Sequence, residues 1–145
     1  MITATGSRLP CAVVTDAPAR FKDLCLDADD HHALADWWCA ALGYVRRDEH
    51  EPDPDGWVRP TDWPVPIVDP SGSGPLLWIV PVPEPKIFKN RMHFDVVGDT
   101  EALLAAGATL LRPRDSVPSP DEAGGIEWDV LADPEGNEFC VFSPE

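Results

Sequence analysis

Apolar and polar positions alternate in two stretches far apart in the chain. Across residues 92–97, Phe94 and Val96 fall on one side of an extended backbone, and His93, Asp95 and Val97 fall on the other. Across residues 21–27, Leu24 and Leu26 oppose Asp23, Cys25 and Asp27 in the same way. Each alternation predicts a half-buried strand that leads into a helix. In the first case Asp29 or Asp30 caps a helix whose apolar residues Leu34, Trp37, Trp38, Ala41 and Leu42 recur at helical spacing, and Gly43 stops it. At that spacing the two tryptophans read as core, not as a ligand box. In the second case Asp99 caps a shorter helix ending at Gly107.

Three further strands are expected behind each helix. They fall at residues 44–46, 57–59 and 76–82 in the first half, and at 109–112, 126–131 and 138–142 in the second. Local signatures recur in the same order. Leu26-Asp27 followed by Asp30-x-x-Ala-Leu matches Phe94-Asp95 followed by Asp99-x-x-Ala-Leu, and Asp69-Pro-Ser-Gly recurs 64 residues later as Asp133-Pro-Glu-Gly. The chain therefore reads as one strand-helix-strand-strand-strand unit used twice, since a single unit would leave a sheet face uncovered.

Composition narrows the partners. A formal charge of −15 over 145 residues argues against nucleic acid or an anionic membrane. Lys86, Lys89 and Arg91 nevertheless cluster, as a solvated connection or a local anion contact. No apolar run is long enough for a membrane span and the start lacks a signal-peptide pattern, so a cytoplasmic protein is expected. Cys11, Cys25, Cys39 and Cys140 form no C-x-x-C pair and are expected as buried, reduced thiols. The 17 prolines, dense across residues 52–85 and 113–120, predict extended connections and edge strands there.

On one strand face, His93 and Asp95 reach the same ligand, ion or proton; the plainer reading is a hydrogen-bonded polar pair on an open sheet. The helix sequence DHHALADWWCAALGY, the KNRMHFDV that opens the second unit and the closing DPEGNEFCVF resemble the glyoxalase and bleomycin-resistance group of the vicinal oxygen chelate superfamily, and within it the bacterial glyoxalase-like domain proteins. The likeness spans residues 21–143. It implies an α+β fold in which two tandem βαβββ modules, about residues 21–85 and 91–143, form an open eight-stranded cup within a single domain of residues 21–145. Residues 1–20 then form an N-terminal arm or tail.

Relatives of that kind hold a divalent metal through His, Glu or Gln on the first and last strands of each module. Carried over, those positions fall on Asp23, on Val80 or Trp78, on His93, and on Cys140 where Glu is usual, with Glu138 on the same strand face. At most three donors remain, Asp23, His93 and Cys140 or Glu138. Such a set leaves room for a zinc-like divalent metal but suits hard, six-coordinate ions poorly. Without metal, Asp23, Trp78, His93, Trp128, Glu138 and Cys140 suit a small, partly aromatic or cationic organic molecule. Two functions stay open. One is a binding module that sequesters or senses such a compound. The other is a lyase or isomerase of glyoxalase type, either metal-dependent or with His93 as general base oriented by Asp95. The resemblance also implies a homodimer.

Overall fold

The computed structural model describes Ala19, residues 21–116 and residues 128–144. The expected N-terminal arm, Ala19 apart, and the loop after residue 116 lie outside the described residues. Two four-stranded sheets are present. The first contains β1 (Leu24–Ala28), β2 (Val45–Arg46), β3 (Val65–Val68) and β4 (Leu77–Pro81), in the order β1-β4-β3-β2. The second contains β5 (Asp95–Val97), β6 (Thr109–Arg112), β7 (Trp128–Ala132) and β8 (Glu138–Phe142), in the order β5-β8-β7-β6. In both, the outer first strand runs parallel to the fourth and the other pairs are antiparallel. A parallel pair needs a crossover, which α1 (His31–Leu42) and α3 (Thr100–Ala105) supply. Equal strand order in the two sheets is the duplication expected from the repeated motifs, and the fold is α+β.

Helices α1 and α3 start where their caps predict. The Asp30 carboxylate accepts from Ala33 N at 3.0 Å, and that of Asp99 from Glu101 N at 2.9 Å. Gly43, at φ +69°, ends α1 in the left-handed conformation that glycine adopts without strain.

Two expectations need correction. Residues 57–59 form no strand; β3 is Val65–Val68 instead. Burial decides this, because Val65 and Ile67 are buried in the core whereas Trp57 and Val58 are exposed. Pro66 is accommodated because β2 pairs only with Val68 and Ile67 and stops before it. The acidic connection after β2 begins with a short helix, α2 (Arg47–His50). Finally, the thiols are not all buried: Cys25 is exposed, Cys39 is half-buried and Cys140 is buried, all three being free.

Trp38 is the centre of the core, 1% exposed, with edge-on aromatic contacts to Phe94 at 5.1 Å and Phe139 at 5.2 Å in the second module. Its indole N–H donates to Asp133 Oδ2 at 3.0 Å, in the turn between β7 and β8. Trp37, half-buried, donates to Ala106 O beyond α3 at 3.0 Å. The Glu135 carboxylate accepts from Asp29 N and Asp30 N, so the same turn also holds the start of α1. One helix thus joins both sheets. No helix among the described residues is long and apolar enough to cross a membrane.

Trp38→Ala should cost about 3–5 kcal/mol in denaturant unfolding, and the half-buried Trp37→Ala clearly less. Trp38→Phe keeps most of the packing but leaves the buried Asp133 short of a donor, a loss of about 1–3 kcal/mol. Equal losses for Trp37→Ala and Trp38→Ala would contradict this ranking.

A second test uses pH. Asp129 on β7 accepts from Arg114 Nη2 at 2.6 Å, Thr100 Oγ1 at 2.7 Å and Arg114 N at 2.8 Å. Hydrogen bonding from the Arg114 side chain, foremost, holds its pKa at about 2 against the ordinary 3.8 despite burial. A depressed carboxylate contributes stability above its unfolded value and loses it as pH falls through the folded one. Unfolding followed from pH 5 downward should therefore steepen between about 4 and 2 in the parent and flatten there in Asp129→Asn.

Candidate functional site

The open face of the second sheet borders a cavity of about 390 Å³, lined by Lys89, His93, Asp95, Arg112, Trp128, Val130, Glu138, Cys140 and Phe142, with Phe139 at its edge. Register explains the convergence. Asp95 lies directly opposite Cys140 in the parallel β5–β8 pair, and Cys140 N donates to Phe94 O at 2.8 Å, carrying the pairing towards His93. Trp128 pairs with Phe142 across β7 and β8, so their rings stack at 5.6 Å with an interplanar angle of 28°.

At the polar end, His93 Nδ1 lies 3.3 Å from Asp95 Oδ1 and 3.7 Å from Cys140 Sγ. Burial first, and then the neighbouring Asp95 carboxylate, push the Cys140 thiol above its ordinary pKa, while Arg112 and Lys89 pull the other way without prevailing. Cys140 is therefore a protonated thiol at neutral pH and a poor nucleophile. A Cys-His-Asp relay would also need the two partners on different ring nitrogens, whereas here both face Nδ1. With the Nδ1 proton given to Asp95, Nε2 carries the lone pair, and among the described residues it has no hydrogen-bond partner.

Glu138, expected as a ligand residue, lines the cavity with its carboxylate already engaged. It accepts from Asn90 N at 2.8 Å and from Lys86 Nζ at 3.1 Å. Burial raises its pKa, but these two partners outweigh burial and the net shift is downward. Lys86, one of the clustered cations, thus ties the connection between modules to β8.

Asp23 and Trp78 belong to a different place, on the first sheet. Trp78 Nε1 donates to Asp23 Oδ2 at 3.0 Å, and the guanidinium groups of Arg47 and Arg59 lie 5.0 and 5.4 Å from the Trp78 ring. Hydrogen bonds from Lys22, foremost, and from Trp78 hold the Asp23 carboxyl below its ordinary pKa. Neither Asp23 nor Trp78 lines the cavity around His93. Sequence reasoning named His93, Asp95, Trp128, Glu138 and Cys140, which do come together. It gave no site role to Arg112, Val130 and Phe142, and it read Lys89 only as part of a cluster making a solvated connection or a local anion contact.

A metal of the kind expected for this fold can be tested against these donors. His93, Asp95 and Cys140 each offer one ligand atom within 4.8 Å of the others, and Asp23 is not in that group. Zinc bonds of about 2.0–2.1 Å to N and O and about 2.3 Å to S at a tetrahedral angle imply N···O near about 3.3 Å and N···S near about 3.6 Å. The observed 3.3 and 3.7 Å fit. A nitrogen, oxygen and sulfur set suits a borderline ion such as zinc, not an oxygen-seeking one. These three residues would hold such an ion, which would supply a Lewis acid at the cavity wall.

The family described as "Glyoxalase-like domain" matches residues 23–142. Solved structures of similar fold include a glyoxalase/bleomycin resistance protein/dioxygenase family enzyme from Burkholderia phytofirmans PsJN, with 15% identity, a TM-score of 0.56 and coverage of 84% of this chain and 96% of that one. A glyoxalase-related enzyme from Fulvimarina pelagi shows 19% identity and a TM-score of 0.53 over 86% of this chain and 88% of that one. A glyoxalase/bleomycin resistance protein/dioxygenase from Nocardioides shows 17% identity and a TM-score of 0.56 over 90% of this chain and 86% of that one. At such identities the likeness is one of fold. No curated protein matches at a significant level.

The thiol environment can be tested by alkylation and peptide mass mapping at pH 8. Among the described thiols, exposed Cys25 should react first, with Cys39, pushed up to about 11 by burial, and Cys140 lagging. Asp95→Asn removes a charge that holds the Cys140 proton on, so that thiol should alkylate several-fold faster. An unchanged Cys140 rate would separate Asp95 from it.

Proposed function

The chain belongs to the glyoxalase-like domain family of the vicinal oxygen chelate superfamily, and from that premise we propose that the cavity on the second sheet binds and sequesters a small organic molecule, with His93 as its polar anchor and Trp128 and Phe142 as its aromatic wall. The observation that carries this reading is the held imidazole: Asp95 and Cys140 occupy Nδ1, which leaves Nε2 for a ligand. A cavity of about 390 Å³ lies within the range of small-molecule sites, roughly 300–1,000 Å³. The site is degenerate as a chelate centre, because its donors come from one module and Asp23 of the other stands apart. Free thiols at Cys25, Cys39 and Cys140 support a reducing, cytoplasmic setting. The exposed Phe21, Ile87, Phe88 and Met92 support a homodimer, which light scattering would reveal as twice the 15.9 kDa chain mass.

The spacing of His93, Asp95 and Cys140 favours a second reading, a lyase or isomerase of glyoxalase type that uses a borderline metal. In a metal-independent version, the free Nε2 is the general base and Asp95 fixes the tautomer that makes it one.

Elemental analysis of protein purified without an affinity tag, joined to a thermal-shift screen with zinc chloride and a panel of small metabolites, separates the readings. The expected result is substoichiometric metal and a stabilising metabolite whose shift His93→Ala reduces. Stoichiometric zinc in the parent that is absent from His93→Ala would install the enzyme reading instead.

A further inference from the structure

Strict alternation along β6 would place Leu111, not Arg112, on the cavity side. Thr109 pairs with Ala132, which shares a face of β7 with Val130 and Trp128, so Leu111 would come next on that face. A bulge intervenes. Leu110 pairs with Leu131 and Arg112 with Val130, which leaves Leu111 as the extra residue and turns Arg112 into the cavity. There the guanidinium sits over the Trp128 indole, 5.5 Å from the ring centroid.

Arg112 is half-buried and, among the described residues, makes no ion pair and no hydrogen bond. Arg46, Arg59 and Arg114 each bind a carboxylate. Lys89 lines the same cavity, and among the described residues its ammonium meets only Asn90 O, at 3.4 Å. The carboxylates of the cavity are occupied: Glu138 by Lys86 and Asn90, and Asp95 by His93. So Arg112 and Lys89 are open to a ligand, whereas Glu138 is held at both oxygens and Asp95 at Oδ1. A guanidinium fork steadied on an aromatic ring is preorganised for two parallel hydrogen bonds to a carboxylate, while Trp128 and Phe142 offer apolar area to an attached ring.

We infer that the ligand of this cavity is a planar organic anion, an aromatic carboxylate, whose carboxylate is taken by Arg112 with Lys89 beside it and whose ring meets the Trp128–Phe142 wall. This rests on the proposed small-molecule binding and names its ligand class. It keeps the aromatic part of the ligand expected from the sequence and puts an anion in place of the cationic alternative that carboxylates such as Asp23 and Glu138 suggested.

The test is calorimetric titration of the full chain with 2-naphthoate, 2-naphthamide and 2-naphthylmethylammonium, which share a ring system and differ in charge. Naphthoate should bind about tenfold or more tighter than the amide, the difference expected for a charge-assisted contact. Arg112→Gln should erase that preference without weakening the amide, and Arg112→Lys should restore part of it. Amide or ammonium binding as tight as naphthoate, or a preference that survives Arg112→Gln, overturns the assignment. If the amide or ammonium binds and His93→Ala weakens it, the small-molecule reading stands and the anion class alone falls. Failure of all three to bind removes both. Should Arg112→Gln lose its fold, seen as a collapsed thermal midpoint, Lys89→Gln and the preference of the parent chain decide: no preference, or one untouched by Lys89→Gln, overturns the assignment.

Discussion

Everything in this fold depends on a buried indole meeting a buried carboxylate. Trp38 comes from the first module and Asp133 from the second, and the indole N–H donates across the junction to a carboxylate that Asn137 also holds. Burial raises the Asp133 pKa, and hydrogen bonds from Asn137, Trp38 and Glu135 oppose that shift. The turn they stabilise sets the start of β8, and the register of β8 sets Cys140 opposite Asp95. Asn137 extends the network by accepting from Asn90 Nδ2 at 3.3 Å, which pins the connection that carries Lys86 and Lys89. Core packing and site geometry are thus one network, traced from an indole proton to the polar end of the cavity.

The duplicated turn shows how far sequence identity can mislead about role. Asp69 and Asp133 open the same Asp-Pro-x-Gly pattern, and both accept hydrogen bonds from their own turns. Asp69 is satisfied locally by Ser71 and Gly74, which lower its pKa. Asp133 is buried and reaches across to Trp38. Duplication supplied the turn twice, and tertiary packing made only one of them a junction between modules.

The fold was largely legible because its signals are local and periodic: alternation over β1 and β5, helical spacing over α1, caps at Asp30 and Asp99, and the repeat. What failed was non-local. Residues 57–59 carry strand-forming types, yet Val65 and Ile67 won the sheet because they fill the core beneath α1, and no window of sequence contains that competition. Within the site, the polar end could be read from strand parity, which places His93 and Asp95 on one face. Arg112 could not, because parity puts it on the wrong side and only the bulge reverses it. Asp23 stands apart because it leads into β1 of the first sheet, where the Trp78 indole holds its carboxylate, away from the His93, Asp95 and Cys140 group.

Net charge does not set the charge that the cavity prefers. A chain at −15 repels anions at a distance, but that field is screened beyond about 8 Å at physiological ionic strength. Within the cavity the sum is local. Each carboxylate there is already bonded to a protein group, whereas among the described residues the guanidinium at 5.5 Å from Trp128 faces only an aromatic ring. A ring offers a cation a fraction of what a carboxylate does, because its quadrupole field falls off faster than that of a charge. The strongest interaction Arg112 could make within the fold is therefore left unmade, which is the condition for spending it on a ligand.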